Sequence, residues 1–181
     1  LANLYGPTET TVNATMMPMS ATTEEVSIGK PLPNYYCHVL DQQMQLLPIG
    51  MAGELHIGGA GVARGYLRRP ELTNVRFVAN PFAEGRLYKS GDLARWREDG
   101  TLMCLGRIDQ QVKLRGQRIE LGEIEAAARE GCAQVESAVA LVHTAGSRQQ
   151  LVLCVTPATV DTAVLRAALC DRLPVYMQPA V

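Results

Sequence analysis

The sequence predicts an α+β fold in two parts, a β-rich part over residues 1–108 and a small α+β part over 109–181. Three observations carry this reading. The first hundred residues are short apolar runs cut by proline and glycine. After about residue 108 the pattern shifts to alternating strands and segments of helical composition. No Gly/Ser linker separates the two patterns, so the junction near Arg107–Gln110 is short enough to serve as a hinge. With 181 residues, 47% of them hydrophobic, the chain is long enough to bury a core.

In chain order, strands are expected over 36–40, 53–58, 92–97 and 101–105, with Pro31, Pro33, Pro48, Gly50, Pro70, Asn80 and Pro81 as breakers. Asp99-Gly100 is the sharpest turn signal, because that pair supplies the positive φ of a tight hairpin, so 92–106 is expected to fold back on itself. Residues 111–115 alternate polar and apolar as a half-buried strand does. The Glu- and Ala-rich run 121–130 predicts a helix that stops at Gly131 as its C′ glycine. Two buried strands are expected over 137–143 and 150–156, around the turn-prone Ala145-Gly146-Ser147. Asp161 is placed to N-cap a last helix over 162–172, which Pro174 ends.

Composition narrows the function. Seventeen basic side chains against 18 acidic ones leave a net charge of −1, with no bulk attraction for nucleic acid or anionic lipid. Five scattered cysteines without a C-x-x-C point to reduced thiols and a cytoplasmic location. No apolar run reaches the roughly 18–20 residues of a membrane span, and no signal segment opens the chain. The sequence begins at Leu1 inside what reads as a functional loop, so it is expected to be a piece of something larger.

Several segments could carry chemistry. Asn3-Leu4-Tyr5-Gly6-Pro7-Thr8-Glu9-Thr10-Thr11 gathers a ring to stack on a purine, hydroxyls for a phosphate and a carboxylate for Mg²⁺. A packed tyrosine and a Thr-rich helix cap explain the same residues. Asp92, after Gly91, could accept bonds from the vicinal hydroxyls of a ribose, or simply bond its own turn. Gln111, Lys113 and Arg115 share one strand face, either an anion-facing ribbon or a charged strand edge. That stripe has no interleaved aromatics, which argues against nucleic acid. The glycines of 58–65 lack a phosphate-loop pattern and read as turn glycines. His38, His56 and His143 stand apart without metal-ligand spacing, and no G-x-S-x-G is present.

Taken in order, NLYGPTETT, IGKPLPN, GELHIGGAGVARGYL, YKSGDLARW, GRIDQQVKLRGQRIELGEIE and LPVYMQP resemble the core motifs of the adenylation domains of nonribosomal peptide synthetases, over residues 3–179. The resemblance implies an adenylate-forming fold: a distorted β-barrel segment closing a large core, then most of a small mobile subdomain. It implies a ligase that uses ATP and Mg²⁺ to make an aminoacyl adenylate and passes it to the phosphopantetheine thiol of a carrier protein. By the same resemblance Tyr5 stacks on adenine, Thr8 contacts phosphate, Glu9 holds Mg²⁺, and Asp92 and Arg107 reach the ribose. Asp109 falls at the hinge, Gly116 in the loop facing the pantetheine arm, and Leu4, Val12 and Asn13 on the amino acid pocket wall. Cys104 stands where the family usually has Phe or Tyr, and Ser90 where Thr is common. The family's phosphate loop, its amino-group aspartate and its C-terminal lysine are missing, so the segment is expected to be inactive alone. An acyl-CoA ligase-like enzyme and a non-catalytic carrier-docking module are the rival readings.

Overall fold

A computed structural model describes residues 1–23, 25–109, 111–114, 116–146 and 148–179, with Lys113 described by its backbone alone. The side chain of Lys113, all of Arg115, Ser147 of the expected turn and Gln110 of the expected junction lie outside the described residues. The chain divides into two compact units, Leu1–Asp109 and Gln110–Val181.

The first unit is built on two antiparallel sheets. β1 (Ala2–Tyr5), β2 (Thr15–Pro18) and β3 (Lys30–Pro31) form a three-stranded sheet in that order. β4 (Tyr35–Leu40) and β5 (Gly53–Gly59) begin a second sheet. After a short helix α1 (Pro70–Arg76), β6 (Phe77–Ala79), β7 (Arg86–Trp96) and β8 (Leu102–Arg107) complete it. The order is β4-β5-β7-β6, with β8 also paired to β7. The first three residues of β7 pair with β6 and its second half with β8, so one long strand serves two neighbours.

The Asp99-Gly100 hairpin forms as expected: Gly100 takes φ +75° and Asp99 accepts from the Thr101 amide at 2.9 Å. Those bonds from Thr101, with Arg97 nearby, hold the exposed Asp99 carboxyl below its usual range. The sheet around 92–97 starts earlier than predicted, at Arg86, because β6 gives that end a partner no local pattern announces. Leu55, Ile57, Val39, Ala94 and Leu102 form the buried core, with Tyr5, Trp96 and Cys104 packed against it. Each of the Leu, Ile and Val side chains contributes about 1.5–3 kcal/mol.

In the second unit β9 (Gln111–Leu114) and β10 (Gln117–Glu120) form a two-stranded ribbon. α2 (Leu121–Gly131) follows, then the antiparallel pair β11 (Ser137–Ala145) and β12 (Arg148–Thr156), then α3 (Thr162–Arg172). Leu121, Ile124 and Ala128, spaced along one face of α2, are buried with Leu151, Leu153, Leu165 and Leu169. The cap assigned to Gly131 needs correction. It is the last helical residue, not a left-handed C′ residue, and Cys132 behind it is extended. A Cβ on Gly131 would stand 3.1 Å from Ala168 Cβ of α3, so its use is close packing of two helices.

The predicted polar face of β9 is also corrected at Gln111. Its side chain is buried, donates to Glu120 and accepts from Arg118 Nε at 2.7 Å, so it is a structural clasp. Asp161 does cap α3, accepting from the Ala163 amide at 2.8 Å and the Val164 amide at 3.4 Å. Asp161→Ala is expected to cost about 1 kcal/mol, read from the urea midpoint of the chain.

No described helix is long and apolar enough to cross a membrane. Cys37, Cys132, Cys154 and Cys170 are free thiols. Burial pushes the Cys37 thiol up to about 12, so it stays protonated and packs as a small apolar residue.

Candidate active site

The segment after β1 doubles back sharply. The Ala14 amide donates to the Tyr5 carbonyl at 2.8 Å, and a Cβ on Gly6 would meet Ala14 N and Val12 O at 2.6 Å. Only glycine fits there. Residues Thr8–Thr10 make one 3-10 turn, whose end is forced into left-handed backbone at Thr11 (φ 59°) and Val12 (φ 70°). Two consecutive β-branched residues in that region store strain, which persists because neighbours hold the loop. Those neighbours come from the glycine-rich stretch after β5 and from the start of β4. Thr11 Oγ1 donates to Gly61 O at 2.8 Å, Ala63 N to Glu9 O at 2.8 Å, and Tyr35 Oη to Thr10 O at 2.8 Å. The glycines of 58–65 thus act as a loop gripping the 8–11 turn.

Within β7 the pairing with β5 jumps: Glu54 faces Leu93 and His56 faces Lys89, so Leu55 alone stands opposite Ser90, Gly91 and Asp92. The sequence Ser-Gly-Asp makes this bulge possible. Ser90, buried, donates its hydroxyl to Leu55 O at 2.6 Å and accepts from the Asp92 amide at 3.0 Å. Gly91 takes φ +73°, and its amide is met by Glu54 Oε1 at 3.1 Å. The ladder bonds lost to the bulge are thereby replaced, and Asp92 is re-aimed out of the strand.

The re-aimed carboxylate is where distant segments meet. Tyr5 Oη donates to Asp92 Oδ2, and Arg107 Nη1 donates to Asp92 Oδ1 at 3.0 Å. Arg107 also clasps Asp109 with two prongs, Nε to Oδ1 at 2.8 Å and Nη2 to Oδ2 at 2.6 Å, and donates Nη1 to Ser90 O at 2.9 Å. Arg76 reaches Asp109 Oδ2 at 3.5 Å from the end of α1. Burial works against the Arg107 charge, yet its bonds to Asp109 and the nearby Asp92 override that and raise it above the ordinary arginine range. Burial, reinforced by Asp92, likewise pushes the Tyr5 phenol up, so it remains a donor. A carboxylate has about four lone-pair positions, so Asp92 retains capacity to accept from a pair of ligand hydroxyls.

Glu9 lies in the neighbouring turn, and its Oε1 accepts from Tyr66 Oη at 2.7 Å. Tyr66 rests edge-on against Phe77, centroids 5.4 Å apart at 72°. Burial first, then the bond to Glu9, raises the Tyr66 phenol. The remaining expected residues are placed more loosely. Leu4 and Val12 are exposed, Asn13 is half-buried and Thr8 is exposed. Gly116 sits in the β9–β10 turn at φ +78°.

Sequence reasoning missed Glu54, Tyr66 and Arg76. Each acts across 33 to 57 residues of chain, and only Tyr66, inside a glycine-rich run, carried any local signal. The three histidines assemble no metal site, and no group of three or more His, Cys, Asp or Glu able to hold a metal occurs among the described residues. His56 is buried with Nδ1 3.1 Å from Glu54 O, and burial lowers its pKa against the pull of Glu54.

Comparison with known proteins relates the chain to a family. Residues 1–67 match the model of the AMP-binding enzyme family. The chain is 49% identical over 181 residues to tyrocidine synthase 3 of Brevibacillus parabrevis, covering 98% of this chain and 3% of that protein. It is 48% identical over 180 residues to gramicidin S synthase 2 of Aneurinibacillus migulanus, covering 98% of this chain and 4% of that protein. Among solved structures it is similar to PA1221, a nonribosomal peptide synthetase protein containing adenylation and PCP domains, with TM-score 0.83 and 31% identity over 98% of this chain and 36% of that one. It is also similar to AB3403, a four-domain synthetase bound to AMP and glycine, with TM-score 0.58 and 45% identity over 98% of this chain and 14% of that one. The chain spans 3–4% of the two synthases, 14% of AB3403 and 36% of PA1221. Within that span the sequence and the α+β fold agree, and the chain belongs to the AMP-binding enzyme family as part of a nonribosomal peptide synthetase adenylation domain.

Proposed function

We propose that this segment supplies the nucleotide-binding half of a site that activates an amino acid with ATP. The single observation behind the reading is the meeting of Tyr5 and Arg107 on the carboxylate of Asp92. In the reaction, a carboxylate oxygen of the amino acid bonds to the α-phosphorus of ATP while the bond to pyrophosphate breaks. The thiol sulfur of a carrier-bound phosphopantetheine then bonds to the acyl carbon, and AMP leaves. Chemistry of this kind needs positioning and charge neutralisation above all.

Each role falls to a named side chain. Asp92 accepts from the ribose hydroxyls, and Arg107 keeps Asp92 aimed. The Tyr5 ring lies against the adenine, and the Thr8 hydroxyl meets phosphate from its exposed turn. Leu4, Val12 and Asn13 form part of the amino acid pocket. Asp109 is the pivot between the core over 1–108 and the small mobile subdomain over 109–181, and Gly116 faces the pantetheine arm. Glu9 fits Mg²⁺. One half-buried carboxylate beside hydroxyls is a hard-oxygen set that suits an ion held mostly by phosphate and water, and no all-protein cage competes among the described residues. When bound, that ion neutralises developing phosphate charge.

The test uses the adenylation domain that contains this segment. Labelled pyrophosphate should pass into ATP only when an amino acid is present. Exchange driven by a fatty acid and CoA instead would transfer the site to the acyl-CoA ligase reading. Failure to bind either ATP or AMP would overturn the proposal.

A further inference from the structure

We infer that Tyr66 is a positioning residue for Glu9, fixing that carboxylate for a divalent cation before any ligand arrives. The inference rests on the reading of Glu9 as a metal-binding carboxylate. Its own support is geometric. Glu9 is a long side chain on a one-turn element at the surface of the first unit, a setting in which three torsions would ordinarily sample many rotamers. Two bonds from one stretch of chain restrain it at both ends. Ala63 N holds the backbone carbonyl at 2.8 Å and Tyr66 Oη holds Oε1 at 2.7 Å.

Tyr66 is itself stiff. Its amide donates to Thr73 Oγ1 at 2.9 Å, and its ring is set against Phe77, which lies 5.1 Å from the Tyr88 ring. A Cβ on Gly65, already at φ +142°, would collide with the Thr73 side chain, so this approach of loop to helix requires the glycine. The phenol therefore presents one hydroxyl at one place. Donation to Oε1 withdraws a little charge from the carboxylate, which weakens cation binding. Fixing its direction strengthens cation binding, and partners that orient a ligating group usually gain more than they lose: removing them typically lowers metal affinity 10- to 100-fold.

The experiment titrates Mn²⁺, a spectroscopic stand-in for Mg²⁺, into the adenylation domain containing this segment with AMP bound, and counts free ion by its EPR signal. Tyr66→Phe keeps the ring and should weaken Mn²⁺ binding about tenfold. Glu9→Gln should weaken it further, and adding Tyr66→Phe to Glu9→Gln should then change nothing more. AMP affinity measured in EDTA should stay within twofold for Tyr66→Phe, a result that a general loosening of the fold would not give. If Glu9→Gln weakens Mn²⁺ binding and Tyr66→Phe does not, the role of Tyr66 is overturned while Glu9 keeps its own. If Glu9→Gln leaves Mn²⁺ binding intact, the metal reading of Glu9 falls, and the role of Tyr66 falls with it.

Discussion

Asp92→Ala is expected to raise the ATP concentration needed for half-maximal pyrophosphate exchange by roughly 30- to 150-fold, equivalent to about 2–3 kcal/mol of lost nucleotide binding. The size follows from what meets at that carboxylate. Its side chain is only 13% exposed, so bonds to it are weakly screened. Hydrogen bonds to a charged group are each worth about 1.5–3 kcal/mol, and the ribose offers two donors. Removing the carboxylate also leaves the Tyr5 hydroxyl and one prong of Arg107 without their acceptor. Asp92→Asn separates the effects, because a carboxamide still accepts from Tyr5 but no longer answers the charge of Arg107. It should fall between wild type and Asp92→Ala. Unchanged ATP dependence in both variants would remove Asp92 from the nucleotide site.

Arg107→Lys is the second large effect, although it conserves charge. The guanidinium spans four acceptor atoms at once: both oxygens of Asp109, Asp92 Oδ1 and the Ser90 carbonyl. An ammonium is a single point with three rotating donors and cannot match that fork. The neighbouring Arg76, at 3.5 Å from Asp109, is too distant to replace the lost prongs. Because the Arg107 and Asp109 side chains are 21% and 30% exposed, the pairing is partly screened, and the loss in folding stability is held to about 1–2 kcal/mol. AMP affinity should fall further, by roughly 10- to 100-fold, since Asp92 loses the group that aims it. Calorimetric titration of AMP beside urea unfolding separates the two quantities. Equal AMP affinity in wild type and Arg107→Lys would show that the fork is dispensable.

What could be read from the sequence was local. Asp99-Gly100 named its hairpin because a dipeptide suffices to set the turn, and Asp161 named its helix because the cap lies within three residues of its donors. The sheet of β1, β2 and β3 was not foreseen. β3 is two residues long, one of them proline, and its place is fixed by pairing with Thr15 and Met16. α1 was hidden for a related reason: it is seven residues long, none of them buried, and shows no apolar stripe. At the site, the motif residues stood out by type, but their partners did not. Tyr66, Glu54 and Arg76 resemble ordinary strand and helix residues until folding carries them to Glu9, Gly91 and Asp109. Gly131 shows the opposite failure, where a familiar terminal glycine turned out to serve packing against Ala168.

The bulge in β7 has an even count, and that parity matters. Three residues opposite one add two to the strand, so Lys89 and Leu93 keep the inward and outward sense that their partners on β5 require. Both halves of the strand remain in step, and one half can hold β6 while the other holds β8. Losing a single residue here would invert every side chain from Leu93 to Trp96 against the core. The length of this stretch is therefore held as tightly as the Ser-Gly-Asp chemistry it carries.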